Sequence, residues 1–475
     1  MTTSCPSMPA YVAQPTDNSS SAAGPSLLPL ATLAIGFVMA MLDVTVVNVA
    51  LPSIAQQFHT PLSSLVWIVD GYTLTFAALL LLAGALADRF GAKRVYLAGL
   101  AIFTLASLLC GVSVSAGMLI AARLVQGFGA ALFMPSSLSL LTHAYKDDGV
   151  RARMLAHWSA IVSIAGASGP LVGGMLIDSF GWRSVFLINL PVGLAGLWLA
   201  RVNIASATRH ARELSPISHV LGVLFLSSVS YALIEGNVRG WISHSILIAA
   251  AVAVASAALL VARERTHPHP VLPRSLYRMR GFGASNAIGF LINFGAYAQF
   301  FLISLYLQQA QKASALDAGL MLLPMMCVFT LGSLLSARVS ARLGLQATLL
   351  VGLAIGTSMG ALAAFSGACT YGSFIAFVAL CNLGIGMAVP AMTAVTMQIA
   401  GHAYANGAAA ALNANRQSGA LVGVAVMGML MHGLSDWPQR LVVAFTIGAV
   451  GYGLSALLAW RRLGAGAKAG AASAA

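Results

Sequence analysis

The chain has 475 residues, of which 59% are hydrophobic and only 8% charged, and its formal net charge is +13. Soluble proteins carry roughly 25% charged residues, so 25 Lys and Arg with 12 Asp and Glu are too few to coat a globule of this size, and a water-soluble multidomain protein is excluded. On a soluble surface the basic excess would suggest nucleic acid; here the charges must sit between apolar runs, so the expected partner is a lipid bilayer and not nucleic acid.

Residues 1–26 are rich in Ser, Thr, Pro and Ala and carry one charge, Asp17. No basic segment precedes the first apolar run, so a disordered cytoplasmic tail is expected and not a cleaved signal peptide. Apolar runs of the length a bilayer requires, about 20 residues, follow at 27–51, 65–87, 95–116, 118–142, 154–177 and 184–200. Two more lie at 217–235 and 245–262, and six at 282–307, 316–337, 345–366, 372–394, 407–431 and 441–460. Lipid demands an internally satisfied backbone, which such runs supply as helices. The expected architecture is therefore an all-α integral membrane protein of fourteen transmembrane helices. Of the 25 basic residues, nineteen fall in loops and tails on the amino-terminal side and four (Arg183, Arg239, Lys312, Arg440) on the other, while Arg123 and Arg416 lie inside spans. Basic loops remain in the cytoplasm, which predicts cytoplasmic termini in a bacterial inner membrane.

Three landmarks recur in order. DRFG at 88–91 matches ARLG at 341–344, Gly129 and Pro135 match Gly384 and Pro390, and Gly169 and Gly173 match Gly419 and Gly423. The offsets, 253, 255 and 250, pair the first six spans with the last six. The expected organisation is a tail to residue 26, a six-helix half over 27–200, a linker with two inserted helices over 201–280, a second half over 281–462, and a cytoplasmic tail over 463–475. Transporters built from two such pseudo-symmetric halves bind substrate at their interface, near mid-membrane.

Charges inside spans are the candidates for chemistry. Asp43 lies in the first span, where a carboxylate costs about 2.5–3.5 kcal/mol on insertion scales; it must face a partner or a water-filled cavity, or carry a proton. Arg123, in the fourth span, keeps its charge, so it can govern a carboxyl without carrying the proton; Asp43 is the expected partner and Asp70 the next. Glu235 closes the seventh span, as an exposed helix-end carboxyl or part of an outer vestibule. Arg416, alone among the second-half spans, should face the interior, stabilising the contact of the halves or binding an anionic group. The segment holding Gly84, Asp88, Arg89, Gly91, Lys93 and Arg94 can latch the inner face. In the fifth span Gly169 and Gly173 share one helix face with Ala165, and Gly166, Pro170 and Gly174 the next, a spacing that allows close helix contact. The five cysteines (Cys5, Cys110, Cys327, Cys369, Cys381) show no metal or disulfide spacing and are expected as small buried hydrophobes. His267 to Pro270 (HPHP) is a weak metal candidate. The sequence holds no Walker A, GxSxG or HExxH motif, so no enzyme, cofactor or metal is expected.

LDVTVVNVALP at 42–52, GALADRFGAKRV at 84–95, RLVQGFGAA at 123–131, GASGPLVGG at 166–174 and WRSVFLINLPVG at 182–193 resemble the major facilitator superfamily, and within it the fourteen-span drug:proton antiporters. WIVDGYTLTFAALLLLAGALADR at 67–89 looks most like the methylenomycin-resistance branch. The resemblance implies Asp43 as the proton-linked carboxyl, Arg123 as its relay partner, the Asp88–Arg94 loop as conformational latch and the Gly-Pro motif as a mark of antiport. Asn48 and Gln126, polar members of these motifs, are cavity candidates. The second-half copy departs from the pattern, since Ala341 replaces the Asp of the latch. The expected function is a monomeric, proton-coupled exporter of small amphipathic drugs or antibiotics. The alternatives are a proton-coupled exporter of a metabolite such as an amino acid or sugar and, from a different class, a non-transporting membrane sensor.

Overall fold

The computed structural model describes residues 26–145, 147–205, 215–267, 270, 273–366, 371–434 and 436–463. The tails to residue 25 and from 464, Cys5, Cys369 and the middle of the HPHP segment lie outside the described residues. Among those described, the chain is helical. In order the elements are α1 (Leu28–Phe58), α2 (Leu62–Phe90), α3 (Ala92–Gly111), α4 (Ala116–Ala144), α5 (Asp148–Phe180), α6 (Ser184–Leu187) and α7 (Asn189–Asn203). Then come α8 (Pro216–Arg239), α9 (His244–Thr266), α10 (Arg274–Arg278), α11 (Phe282–Leu305), α12 (Ala315–Leu343), α13 (Leu345–Ser366), α14 (Tyr371–Gly433) and α15 (Trp437–Leu458). Five-residue π-helical turns extend α11 (Tyr306–Ala310) and α15 (Ala459–Leu463).

Among the described residues, thirteen helices are long and apolar enough to cross a membrane. The expected span at 184–200 is broken into α6 and α7. The one at 407–431 falls in the second arm of α14, residues 402–433, which is helical but is not among the thirteen. The arms meet at Gly401, whose φ of 66° belongs to the left-handed region that glycine enters without steric cost. Large apolar side chains such as Leu105, Ile164, Trp198 and Val254 are 63–71% exposed. Water would not tolerate so much open apolar surface; lipid does.

The helices alternate between a basic end, marked by Arg89, Lys93, Arg94 and Arg201, and an opposite end. α1 to α7 form one bundle and α11 to α15 another. The repeated landmarks make matching contacts in each. A Cβ on Gly129 of α4 would lie 2.6 Å from the Phe103 nitrogen of α3, and one on Gly384 of α14 would lie 2.6 Å from the Gly356 nitrogen of α13. Gly173 of α5 lies against Val46 of α1, and Gly423 against Phe294 of α11, where added Cβ atoms would come within 2.8 and 2.3 Å. Gly91 and Gly344 turn the chain at the basic end with φ of 96° and 85°, conformations that L side chains rarely adopt.

Between the bundles stand α8 and α9. α9 packs mainly on α8, whereas α8 reaches both bundles: Trp67 Nε1 of α2 donates to Glu235 (3.0 Å), and Asn237 Nδ2 donates to the Met429 carbonyl of α14 (2.5 Å). The two bundles also meet directly at the opposite end. Ser304 Oγ donates to the Asn48 carbonyl (2.9 Å), Gln308 Nε2 to the Val49 carbonyl (3.0 Å), and the Leu316 amide to Asp178 (3.2 Å). There too Trp182 Nε1 and Arg183 Nη1 both donate to Gln57 (2.5 and 2.8 Å), fastening the end of α1 to the turn after α5.

Candidate functional site

Asp43 sits halfway along α1, 2% exposed, and Arg123 about two turns into α4, 1% exposed. α4 starts at Ser115, whose Oγ accepts from the Met118 amide (3.2 Å) and so satisfies one of the free donors at the helix start. Arg123 Nη1 forms an ion pair with Asp43 Oδ2. Gln126, one turn on from Arg123, donates to Asp43 Oδ1 (2.8 Å) and accepts from Arg123 Nη1 (2.7 Å). Arg123 Nε donates to the Ile68 carbonyl of α2 (3.0 Å). The guanidinium also stands 4.5 Å from the Tyr72 ring centroid and 5.8 Å from that of Phe186.

Behind this pair lies a second layer. Ser107 Oγ of α3 accepts from Gln126 (2.9 Å) and from Asn189 of α7 (3.3 Å), and the Cys110 thiol points to Gln126 (3.6 Å). Six helices, α1 to α4, α6 and α7, thus contribute to the surroundings of one buried carboxylate and one guanidinium. Removing one partner of such a pair leaves an uncompensated charge and costs about 3–5 kcal/mol. The carboxylate is the member that can accept a proton; the guanidinium is not.

Asp70, the other acid expected beside Arg123, is elsewhere. It is fully buried, neither of its oxygens is hydrogen-bonded, and it lies one turn along α2 from Val66, which packs on Gly428 of α14. It therefore belongs to the seam between the bundles. Glu235 corrects a sequence expectation: its side chain is 14% exposed, accepts from Trp67, and pairs with Arg239 one helical turn on (3.0 Å). α8 docks on α2 at that point, so the carboxylate is shielded instead of free at a helix end. Cys110 and Cys381 are buried as expected, whereas Cys327 is exposed, on the outer face of α12. The Asn48 side chain turns back onto its own helix, donating to the Val44 carbonyl (2.8 Å), while its Oδ1 is buried without a partner.

At the basic end, Gly91 makes the turn into α3. Lys93 Nζ donates to the Arg201 carbonyl at the end of α7 (3.0 Å), where the helix dipole favours a cation. Asp88 is half-buried, Arg89 and Arg94 are exposed, and a Cβ on Gly84 would meet open space. The two glycine faces of α5 serve different partners. Gly169 and Gly173 pack on Thr45 and Val46 of α1, within one bundle, whereas Pro170 and Gly174 pack on Gly319 and Ala315 of α12, across the seam; Gly166 has open space. Arg416, in the second arm of α14, is half-buried with its stem against Gly289 of α11, and Tyr297 of α11 lies within electrostatic reach of both Arg416 and Tyr72.

Sequence inspection missed Ser107, Asn189, Tyr72, Phe186 and Tyr297. Asn189 and Phe186 lie within the WRSVFLINLPVG segment, and a polar amide in an apolar run was a usable signal. Tyr72 and Tyr297 carry none, since a tyrosine within a span is equally suited to packing.

The chain matches the family described as Major Facilitator Superfamily over residues 33–424. It is 47% identical over 438 residues to the methylenomycin A resistance protein of Bacillus subtilis (strain 168), covering 92% of this chain and 94% of that protein. The protein of the same name from Streptomyces coelicolor is 47% identical over 441 residues, 92% of each. The tetracenomycin C resistance and export protein of Streptomyces glaucescens is 33% identical over 414 residues, covering 85% of this chain and 75% of that protein.

Proposed function

The chain belongs to the Major Facilitator Superfamily and is a multi-pass membrane protein, and from that premise we propose that it exports small amphipathic antibiotics or drugs in exchange for protons. The observation that carries the proposal is the Asp43–Arg123 pair, sealed among six helices of one bundle and close to the seam with the other. The relatives named for antibiotic resistance and export give the substrate class.

The geometry suits alternating access. The hydrogen bonds described between the bundles lie at the opposite end, which suits a state closed there, and the basic end is the cytoplasmic one. Counting the second arm of α14 makes fourteen spans, two pseudo-symmetric halves of six with α8 and α9 inserted. When the opposite face opens, a proton reaches Asp43 and neutralises it. Arg123 is then a buried cation without a counter-charge, held by Gln126, the Ile68 carbonyl and the rings of Tyr72 and Phe186, an arrangement whose cost favours repacking of α1 against α4. Return to the present state restores the pair and releases the proton to the cytoplasm. Breaking and remaking the contacts of Gly174 with Ala315 and of Ser304 with Asn48 accompanies the cycle, and the Gly84–Arg94 segment holds the basic end when that face closes.

The test uses inverted vesicles carrying a proton gradient. Addition of a transported drug should draw protons out of the vesicle lumen in wild type and not with Asp43→Asn. A gradient that no antibiotic in a broad panel disturbs, or a variant that couples like wild type, overturns the proposal.

A further inference from the structure

Arg416 is the intramembrane cation that proton exchange leaves without a role. Its Nε is buried without a hydrogen-bond partner, and among the described residues its guanidinium forms no ion pair. Guanidinium cannot shed its charge, and a half-buried cation without a counter-charge loses part of its hydration with nothing in return. The carboxyl-terminal half offers no remedy. Over residues 281–463 the acids are Asp317 and Asp436, both at the opposite end, where Asp317 accepts from Ser314 in the first turn of α12 (3.0 Å) and Asp436 caps α15. In the other half, Asp43 is already engaged by Arg123 and Gln126, and neither oxygen of Asp70 is bonded to Arg416 or to any other group. A structural ion pair therefore does not account for Arg416.

Its surroundings suit a ligand. The stem rests on Gly289, where a Cβ would come within 3.2 Å of Arg416 Cγ, so the glycine makes room for it. In α11, Gly289 is flanked by Asn286 and Phe290, which with Phe282, Ala411 and Asn415 line a cavity of about 510 Å³. Asn415, the neighbour of Arg416, donates to Asn286 (3.0 Å), which leaves amide groups and aromatic carbon side by side. The basic loops at that end of the bundle raise the local concentration of anions.

We propose that Arg416 is the anion-binding point of the substrate site, and that the preferred substrates are small amphipathic molecules bearing a carboxylate. The guanidinium takes the carboxylate as a two-pronged hydrogen-bonded pair, supplying the counter-charge the protein lacks, and the apolar body lies against the walls of the cavity. This inference rests on the drug-export function proposed for the chain.

The experiment measures binding of radiolabelled 1-naphthoate to the full-length chain in lipid nanodiscs, with 1-naphthamide and 1-naphthylmethylammonium as competitors of equal size. Saturable naphthoate binding is expected, with both competitors at least tenfold weaker than unlabelled naphthoate. Arg416→Gln should weaken naphthoate binding at least tenfold, and Arg416→Lys should restore most of it. Absence of naphthoate binding to wild type, unchanged binding by Arg416→Gln, or stronger competition by the ammonium compound each overturns the inference. Drug-driven proton release measured in vesicles of Arg416→Gln with an uncharged drug separates the two proposals. If it persists, proton-coupled export stands whatever the anion result; if wild type itself shows none with any drug, the export reading fails first.

Discussion

The two bundles, α1 to α7 and α11 to α15, share helix contacts but not chemistry. In the amino-terminal one a carboxylate and a guanidinium neutralise each other, and each is held further by Gln126. In the carboxyl-terminal one the Arg416 guanidinium stands near amides and aromatics, while the two acids of that half, Asp317 and Asp436, lie at the opposite end. The backbone packing is thus alike in the two, at Gly129 and Gly384 or Gly173 and Gly423, while the buried charges differ. The self-satisfied pair suits a role inside the protein's own cycle; the unsatisfied cation suits a role that something else completes.

The sharpest way to break this comparison is stability. Asp43→Ala leaves Arg123 without its counter-charge and should destabilise the chain by about 3–5 kcal/mol, read as chemical denaturation in detergent. Arg416→Gln removes a charge that nothing in the protein compensates, and its stability should be unchanged or raised. A loss in Arg416→Gln as large as that in Asp43→Ala would make Arg416 a structural member and erase the contrast. Smaller effects separate the faces of α5. Gly173→Leu forces a side chain into Val46 within one bundle, and overpacking of this kind costs about 1–3 kcal/mol. Gly174→Leu meets the Ala315 carbonyl across the seam, so it should leave each bundle folded but abolish drug-driven proton release; Gly166→Leu, facing open space, should do neither. The smallest effect sharpens the asymmetry of the basic end. Gly91→Ala and Gly344→Ala should each lose about 1–3 kcal/mol for the strained backbone, but only Gly91→Ala should slow transport, because Ala341 stands where the first half has Asp88.

Much of this was legible in the sequence because lipid is a demanding solvent. It allows few polar residues, so the exceptions at Asp43, Arg123 and Arg416 stood out, and the depths of Asp43 and Arg123 matched well enough to pair them. Spacing also separated the two faces of α5, since residues four apart on a helix share a face. Depth does not tell direction, however. Asp70 is also near Arg123 in depth, but it points into the seam beside Val66, and only packing reveals that. Glu235 was misjudged for a related reason: whether a helix end is exposed depends on what docks there, and α8 meets α2 across 168 intervening residues. The inserted helices had no visible partner in sequence, yet α8 touches both bundles.

The pairing of Asp43 with Arg123 also fixes an order of assembly. The partners are 80 residues apart, and at roughly 5–20 residues per second a ribosome needs about 4–16 s to travel that distance. During that interval α1 must enter the membrane with its acid unpaired. The mean hydropathy of 2.2 over its most apolar stretch is what allows it to wait. A first helix with a weaker apolar flank and the same acid would stall before its partner was made. The chain's earliest hazard is therefore one of biogenesis, and it is resolved by composition well before any substrate is met.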